Sequence, residues 1–201
     1  MIKTKVWMVR HGETEWSQSG AHTGKTELPL TSQGRDHTLA LRDYFAHRSF
    51  ALVLTSPRQR AQETCHVAGY AGTALVDESL SEWDYGAYEG RSTEEIRTER
   101  PDWDLWRDGV PQGETMEQVA IRAQKVIARC FAVSGPVLLF AHGHILRVIA
   151  ACWLELPPEA GRLFALHTNS LSTLGFERET RVIVTWNRSF EKKDGSSDYP
   201  L

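Results

Sequence analysis

Near the start of the chain stands the stretch that decides the fold, Val6-Trp7-Met8-Val9-Arg10-His11-Gly12. Its apolar part is short and rich in β-formers, and a glycine follows closely, which is typical of a buried parallel strand. Two later stretches repeat the pattern: Ala51-Leu52-Val53-Leu54 precedes Thr55-Ser56-Pro57, and Pro136-Val137-Leu138-Leu139-Phe140-Ala141 precedes His142-Gly143-His144. The sequence therefore predicts three buried strands, each ending at polar residues.

Helical patterns separate these strands, and residues 12–30 are predicted as a long loop. We expect helices over about 32–46, 58–68, 115–132 and 145–154, a short strand at 74–76, and closing strands at 170–176 and 181–186. Strands that alternate with helices predict an α/β fold with a mainly parallel sheet.

The domain organisation predicted from this pattern is simple. Residues 1–190 form one domain, and 191–201 form a polar tail. Residues 81–113 mix aromatic, acidic and glycine residues, with short helices expected near 93–99 and 101–107. We interpret that segment as a lid-like excursion from the domain.

The composition is that of a globular protein, with 41% apolar and 24% charged residues. A net charge of −3 gives no bulk attraction for nucleic acid or an anionic membrane. The chain shows neither an apolar run of membrane-spanning length nor a signal-peptide pattern at its start. Cys65, Cys130 and Cys152 form no CxxC motif and are expected to be reduced and buried. We therefore expect a cytoplasmic protein that binds neither nucleic acid nor membrane, and a homodimer is left open.

Charged and titratable residues follow all three predicted strands, namely Arg10, His11, Arg58, Arg60, His142 and His144. In open α/β sheets, the carboxyl ends of the strands form the ligand crevice. If the three strands are neighbours, these histidines and arginines converge there. Because arginine forks suit phosphate and carboxylate oxygens, the sequence predicts an anionic substrate, with phosphate favoured.

The histidines could act as nucleophiles, general bases or metal ligands. Arg10 beside His11 disfavours a dication and favours a phosphoryl group. Nearby cations also keep imidazole neutral, as a nucleophile must be. The leaving alkoxide needs a proton, and Glu82 and Asp84 are candidate donors. Aromatic neighbours would desolvate such a carboxyl group and favour its protonated form.

The stretch Arg10-His11-Gly12-Glu13-Thr14-Glu15-Trp16 resembles the RHGET-x-W signature of the histidine phosphatase superfamily. The resemblance covers about residues 5–187 and continues, in order, through Thr55-Ser56-Pro57-Arg58-Gln59-Arg60-Ala61, Glu82, Tyr85-Gly86, Glu89-Gly90, Gly113-Glu114-Thr115 and Ala141-His142-Gly143-His144. It implies the phosphoglycerate-mutase-like fold, a three-layer α/β/α sandwich with a mainly parallel sheet. It also implies that neither a metal ion nor another cofactor is required.

The same resemblance implies roles for individual residues. His11 would be the nucleophile that carries a phosphohistidine intermediate. Arg10, Arg58 and His142 would hold the phosphoryl oxygens and stabilise their charge. Glu82 would protonate the leaving oxygen and then activate water. The substrate-binding candidates are Ser17, Thr23, Gly24, Tyr85, Trp106, Arg107, Gly143 and His144.

Three departures from the family pattern favour a phosphatase over a mutase. The family often has Asn-x-x-Gly-Arg after the tryptophan, whereas this chain has Ser17-Gln18-Ser19-Gly20-Ala21, so a cation is missing near position 21. The segment near the candidate acid lacks the pair of adjacent arginines with which mutases grip a carboxylate. The chain is also shorter than the cofactor-dependent mutases.

A narrower similarity is to the phosphatase branch that contains fungal sedoheptulose-1,7-bisphosphatase and small actinobacterial acid phosphatases. It is carried by Trp16-Ser17, His22-Thr23-Gly24, Glu82-Trp83-Asp84-Tyr85-Gly86, Trp106-Arg107-Asp108-Gly109 and Phe140-Ala141-His142-Gly143-His144. It implies a metal-independent phosphomonoesterase whose partner is a sugar phosphate or similar small phosphorylated metabolite. Trp106 and Arg107 would contact a sugar or a second phosphate.

Three alternatives stay open. The first is a phosphoglycerate mutase, which the departures above disfavour. The second is a metallohydrolase using His11, His142, His144 and Glu82, which Arg10 disfavours. The third is a non-catalytic module that binds a phosphorylated ligand. The complete set of candidate catalytic residues speaks against it.

Overall fold

The computed structural model describes residues 4–190, so the predicted polar tail lies outside the described residues. The strands are β1 (Val6–Arg10), β2 (Leu52–Thr55), β3 (Leu75–Val76), β4 (Val137–Ala141), β5 (Leu171–Glu177) and β6 (Thr180–Arg188). The helices are α1 (Glu15–Ser19), α2 (Ser32–Phe45), α3 (Gln59–Val67), α4 (Thr93–Glu99), α5 (Leu105–Asp108), α6 (Met116–Phe131) and α7 (Gly143–Trp153). Short 3-10 helices lie at Glu78–Leu80, Gly86–Tyr88 and Pro158–Leu163.

The strands form one sheet in the order β3-β2-β4-β1-β5-β6. Strand β4 pairs in parallel with β1 and β2, and β2 pairs in parallel with β3. Strands β5 and β6 close the sheet in antiparallel pairing. The prediction of a mainly parallel sheet is confirmed, and the three strands predicted first are direct neighbours.

Helices cover both faces of the sheet. The side chains of β4 point alternately to the two faces, so they enter two different hydrophobic clusters. Val137, Leu139 and Ala141 face the cluster formed with α6 and α7, and Leu138 and Phe140 face the cluster formed with α2 and α3. Every residue of β4 is buried, as expected for a central parallel strand. The chain is therefore the three-layer α/β/α sandwich that the sequence predicted.

Two local predictions differ from the structure. The segment 12–30, predicted as a loop, contains α1. This helix begins with a capping box in which Thr14 and Ser17 bond to each other's backbone N–H. Five residues are too few to show a readable hydrophobic period. The second short helix of 81–113 begins later than predicted, at Leu105, because the Asp104 side chain accepts the Trp106 N–H at 3.0 Å.

The aromatic residues of 81–113 are buried against the sheet. Trp83, Tyr85 and Trp103 belong to the same hydrophobic cluster as α6 and α7. Cys65, Cys130 and Cys152 are buried free thiols, as predicted. Among residues 4–190, no helix combines the length and apolar character needed to cross a membrane. The lid interpretation of 81–113 stays a prediction.

Candidate active site

The carboxyl ends of β1, β2 and β4 lie side by side. Arg10 is in register with Ala141, and Thr55 is in register with Phe140. The residues that follow these strands therefore meet at one edge of the sheet. The ring centroids of His11 and His142 lie 5.2 Å apart.

His11 is buried and has a defined tautomer. Its Nδ1 lies 2.7 Å from the Gly12 carbonyl oxygen, which can only accept a hydrogen bond, so Nδ1 carries the proton. Burial, together with the positive charges of Arg60 and Arg10, lowers the pKa of His11 well below its usual value. The imidazole is therefore neutral, and its Nε2 lone pair is available as a nucleophile.

His142 has the same charge but a different proton position. The Arg60 Nε–H donates to His142 Nδ1 at 3.1 Å, so the proton lies on Nε2, which donates to Ser56 Oγ at 2.7 Å. Burial and the positive charges of Arg60, Arg10 and Arg58 hold the pKa of His142 well below its usual value. His142 thus offers an N–H donor at neutral pH without bringing a positive charge.

The structure places Arg60, rather than Arg58, beside His142. Arg60 is fully buried. Arg58 sits outside α3, just before its first residue, and its Nη1 pairs with Glu27 at 2.9 Å. Its Nε is buried without a hydrogen-bond partner among residues 4–190, yet Arg58 is absent from the cavity lining. The extended backbone before α3 turns the fork of Arg58 to Glu27, and the helical backbone turns Arg60 inward to His142. The predicted contact of Arg58 with phosphoryl oxygens stays a prediction, and Arg60 is the nearer cation that the sequence reasoning did not choose.

Arg10 presents a free donor to the same place. Its Nη1 donates to the Leu166 carbonyl at 2.5 Å, and its Nε is buried without a hydrogen-bond partner among residues 4–190. Burial lowers the pKa of Arg10 from its usual value, opposed by the negative charge of Glu82. A buried arginine with an unmatched donor is suited to bind an anion, since leaving such a donor unpaired is unfavourable.

Glu82 reaches the site because it accepts three backbone N–H groups. Its Oε1 accepts from Trp83 and Ile145 and its Oε2 from His144, each at 2.9 Å. Two of these donors belong to the first turn of α7, where the helix dipole favours a carboxylate. A Cβ at Gly143 would lie 3.5 Å from Arg10 Cζ and 3.7 Å from Glu82 Oε2, which shows how closely the backbone passes both side chains.

A cavity of about 170 Å³ opens between these groups. Among the described residues it is lined by Arg10, His11, Trp16, Ser17, Gly20, Ala21, His22, Thr23, Glu82, Tyr85, Gly143, His144, Arg147 and Leu166. Most of the predicted site residues are in this lining. His142 lies behind it, with its ring edge toward His11.

The predicted hydroxyl contacts of the loop are already used within the chain. Ser17 Oγ donates to the Thr14 carbonyl at 2.9 Å, and Thr23 Oγ1 donates to the Ala21 carbonyl at 3.1 Å. Gly24 turns its N–H to Glu89 and is absent from the cavity lining. Ser17 and Thr23 thus shape the cavity wall, whereas Gly24 supports it from behind.

Neutral ring systems form the opposite wall. Tyr85 Oη and His144 Nδ1 share a hydrogen bond of 2.6 Å. Burial raises the pKa of Tyr85 and lowers the pKa of His144, each well beyond its usual value, so both side chains are neutral. His22 lies 4.7 Å from Tyr85 between ring centroids, and burial lowers its pKa to about 4. We call His11, His22, His142 and His144 the site histidines.

Trp106 and Arg107 lie outside the lining of this cavity, and their predicted contact with a sugar or second phosphate stays a prediction. Arg107 is exposed and pairs with Asp108 at 2.8 Å. Trp106 is buried behind two lining residues: its ring centroid lies 4.6 Å from Arg147 Cζ and 5.4 Å from the ring centroid of His144. A second cation besides Arg10 lines the cavity, Arg147, which sequence reasoning missed. The available signal was its spacing from His144 on α7, because residues three apart share a helix face.

The donor set does not match a metal site. Among residues 4–190, no group of three or more His, Cys, Asp or Glu side chains could hold a metal ion. The metallohydrolase alternative needs Glu82 as a ligand, but its oxygens accept backbone N–H groups. It also needs His142, whose two nitrogens face Arg60 and Ser56.

The family model of the histidine phosphatase superfamily (branch 1) matches residues 6–189, so this chain belongs to that superfamily. An acid phosphatase of Mycobacterium tuberculosis is 39% identical over 90% of this chain and 90% of its own length. A solved structure of an open reading frame from Mycobacterium tuberculosis has a TM-score of 0.88 and 37% identity, covering 92% of this chain and 98% of its own.

Another relative is the sedoheptulose 1,7-bisphosphatase of Saccharomyces cerevisiae, 37% identical over 74% of this chain and 67% of its own length. Relatives named "Probable phosphoglycerate mutase", such as that of Enterobacter, are more distant. The Enterobacter protein is 28% identical over 90% of this chain and 89% of its own length. The nearer relatives with named activities are thus phosphatases.

Proposed function

We propose that this protein is a phosphatase that hydrolyses the monoester of a small sugar phosphate through a phosphohistidine on His11. The observation that carries the proposal is the neutral His11 with its proton fixed on Nδ1 by the Gly12 carbonyl. Its Nε2 lone pair faces a site where Arg10 and Arg60 supply positive charge. This combination suits attack on an anionic phosphorus.

In the first step, the His11 Nε2–P bond forms and the P–O bond to the sugar breaks. Arg10, whose unpaired Nε lies at the site, holds the phosphoryl oxygens. Arg60 adds positive charge from behind the cavity, in the role that the resemblance gave to Arg58, and the His142 Nε2–H reaches the oxygens by leaving Ser56 Oγ. The leaving alkoxide takes a proton from Glu82. The proton is assigned to Oε2, because Oε1 accepts two N–H groups and Oε2 only one.

In the second step, Glu82 accepts a proton from water as the water oxygen attacks phosphorus. The N–P bond breaks, inorganic phosphate leaves, and both His11 and Glu82 return to their starting states. The backbone contacts hold the carboxylate in place for both proton transfers. No step uses a metal ion.

Arg147 supports a substrate with a second polar or anionic group. It lines the cavity, and burial lowers its pKa. Its Nε and Nη2 donate to the carbonyls of Gly161 and Arg162, so it is held in place. Sugar bisphosphates fit such a site, and the named activity of the yeast relative agrees. A mutase is disfavoured because Ala21 lines the cavity where that class carries a cation.

The test is phosphate release in EDTA from sedoheptulose and fructose bisphosphates, sugar monophosphates, phosphoserine and 3-phosphoglycerate. We expect release that His11→Ala abolishes and that EDTA leaves intact. Arg147→Ala should weaken kcat/KM for bisphosphates more than for monophosphates. Isomerisation of 3-phosphoglycerate without phosphate release would contradict the proposal and favour the mutase.

We also propose that the protein acts in the cytoplasm on a small metabolite rather than on nucleic acid. Three buried free cysteines suit a reducing compartment, and the net charge of −3 offers nucleic acid no bulk attraction. Cell fractionation tests the location. Sedimentation of the purified chain tests whether it forms the homodimer left open above.

A further inference from the structure

The loop over residues 23–26 holds the guanidinium of Arg60. Arg60 Nη1 donates to the Thr26 carbonyl at 3.0 Å, and Nη2 donates to the Thr23 and Gly24 carbonyls at 2.8 and 3.1 Å. Because a guanidinium is rigid and planar, the three carbonyls that hold Nη1 and Nη2 also fix the direction of the Nε–H. That Nε–H is the donor to His142.

The N–H groups of the same loop point to Glu89. The Gly24 N–H lies 3.0 Å from both carboxylate oxygens, and the Thr26 N–H lies 3.0 Å from Oε1. The contact is tight as well as polar. A Cβ at Gly24 would lie 2.8 Å from Glu89 Oε2 and 2.6 Å from the Trp83 carbonyl oxygen. The loop is therefore clamped between one carboxylate and one guanidinium.

We propose that Glu89 is a positioning residue for phosphoryl binding: it fixes loop 23–26, the loop orients Arg60, and Arg60 orients His142. Glu89 is absent from the cavity lining and acts through these contacts alone. The consequence for catalysis rests on the proposed function, in which Arg60 and His142 stabilise the charge of the phosphoryl group. The consequence for anion binding does not depend on turnover.

Substitution by glutamine tests the clamp with little change in volume. Glutamine offers one acceptor oxygen in place of two, and its amide N–H groups would face a backbone donor. Glu89→Asp keeps the charge but is one methylene shorter. Glu94→Gln is the matched control, because it removes the same negative charge at a residue that is exposed on α4.

The first readout is the Kd for inorganic phosphate, measured by calorimetry. We expect Glu89→Gln to raise this Kd about tenfold and to lower kcat/KM about 10- to 100-fold, since a misplacement of about 1 Å costs about 100-fold. Glu89→Asp should recover part of both effects. Glu94→Gln should stay within about twofold of the unchanged protein, the scatter of an exposed substitution.

The second readout separates positioning from a general loss of structure. Arg10 and Arg60 face His11, and His142 is faced by these two arginines, Arg58 and His11. If Arg60 turns away, the pKa values of both histidines rise and the acid limb of kcat/KM moves to higher pH. A lower fraction of folded enzyme would leave that limb in place. Long-range ¹H–¹⁵N spectra should also show the Nε2–H tautomer of His142 only while the clamp is intact.

Glu89→Gln with unchanged phosphate Kd, acid limb and His142 spectrum would overturn the proposal. Activity lost with the limb and the Kd unchanged would also overturn it, since the role would then be structural only. If the unchanged enzyme releases no phosphate from any compound, the proposed function fails. The phosphate Kd and the imidazole spectrum still decide the role of Glu89 in that case.

Discussion

Substitution of Arg60 and substitution of Arg58, two positions apart, should have very different effects on catalysis. Arg60 is fully buried, with bonds to three loop carbonyls and to His142, whereas Arg58 forms an ion pair with the half-exposed Glu27. Removing one preorganised donor from a developing charge costs about 10²–10³ in rate. We expect Arg60→Ala to lower kcat/KM about 10³-fold and Arg58→Ala less than about tenfold, as for an exposed ion pair of about 0–1 kcal/mol.

Stability must be measured as well as activity, because Arg60→Ala also leaves the buried loop carbonyls without a hydrogen-bond donor. One unsatisfied buried acceptor costs about 1–3 kcal/mol, so we expect the free energy of unfolding to fall by about 3 kcal/mol as water partly fills the space. Arg60→Lys keeps the charge without the planar fork and should lie between the unchanged enzyme and alanine.

The assay is steady-state phosphate release at several substrate concentrations, corrected for the folded fraction from urea denaturation. A larger loss in Arg58→Ala than in Arg60→Ala would refute this assignment of the phosphoryl-binding cation. So would an Arg60→Ala variant that is folded and fully active.

The remaining predictions concern the site histidines, the exposed arginine and the tight glycine. The site histidines have lowered pKa values, so below pH 6.5 the unfolded chain binds protons that the folded chain does not. As the pH is lowered from 6.5, the free energy of unfolding should fall by up to about 1.4 kcal/mol per pH unit for each histidine, and for His22 this fall should end at about pH 4. Urea denaturation at a series of pH values measures it. Arg107→Ala should leave kcat/KM within about twofold, because Arg107 contacts Asp108 rather than the cavity. Gly24→Ala should raise the Kd for inorganic phosphate, since its Cβ displaces the Trp83 carbonyl or the carboxylate behind the loop.

The fold could be predicted from local sequence because its signals are local. Each of the buried strands β1, β2 and β4 is a short apolar run, and each run ends at a polar residue that marks the same sheet edge. The two histidines that come together, His11 and His142, follow directly from that rule.

The details of the site could not be predicted, because they depend on which way a side chain turns. Arg58 and Arg60 have the same chemistry and nearly the same position, and only the start of α3 decides which one faces inward. Trp106 and Arg107 belong to the segment that carries Glu82 and Tyr85, but Trp106 packs behind Arg147 and His144, and Arg107 turns to Asp108. The spacing of residues along the chain predicts neither which arginine faces inward nor that Trp106 is buried behind the cavity wall.

The position of β4 has a consequence for synthesis. This strand lies between β1 and β2, although both are translated long before it. Arg60 and His142, which touch in the folded protein, are 82 positions apart in the chain. Such distant pairings slow folding, and during translation the central slot of the sheet stays open until β4 has left the ribosome. The anion site can therefore be complete only after β4 and the His142 that follows it have been synthesised.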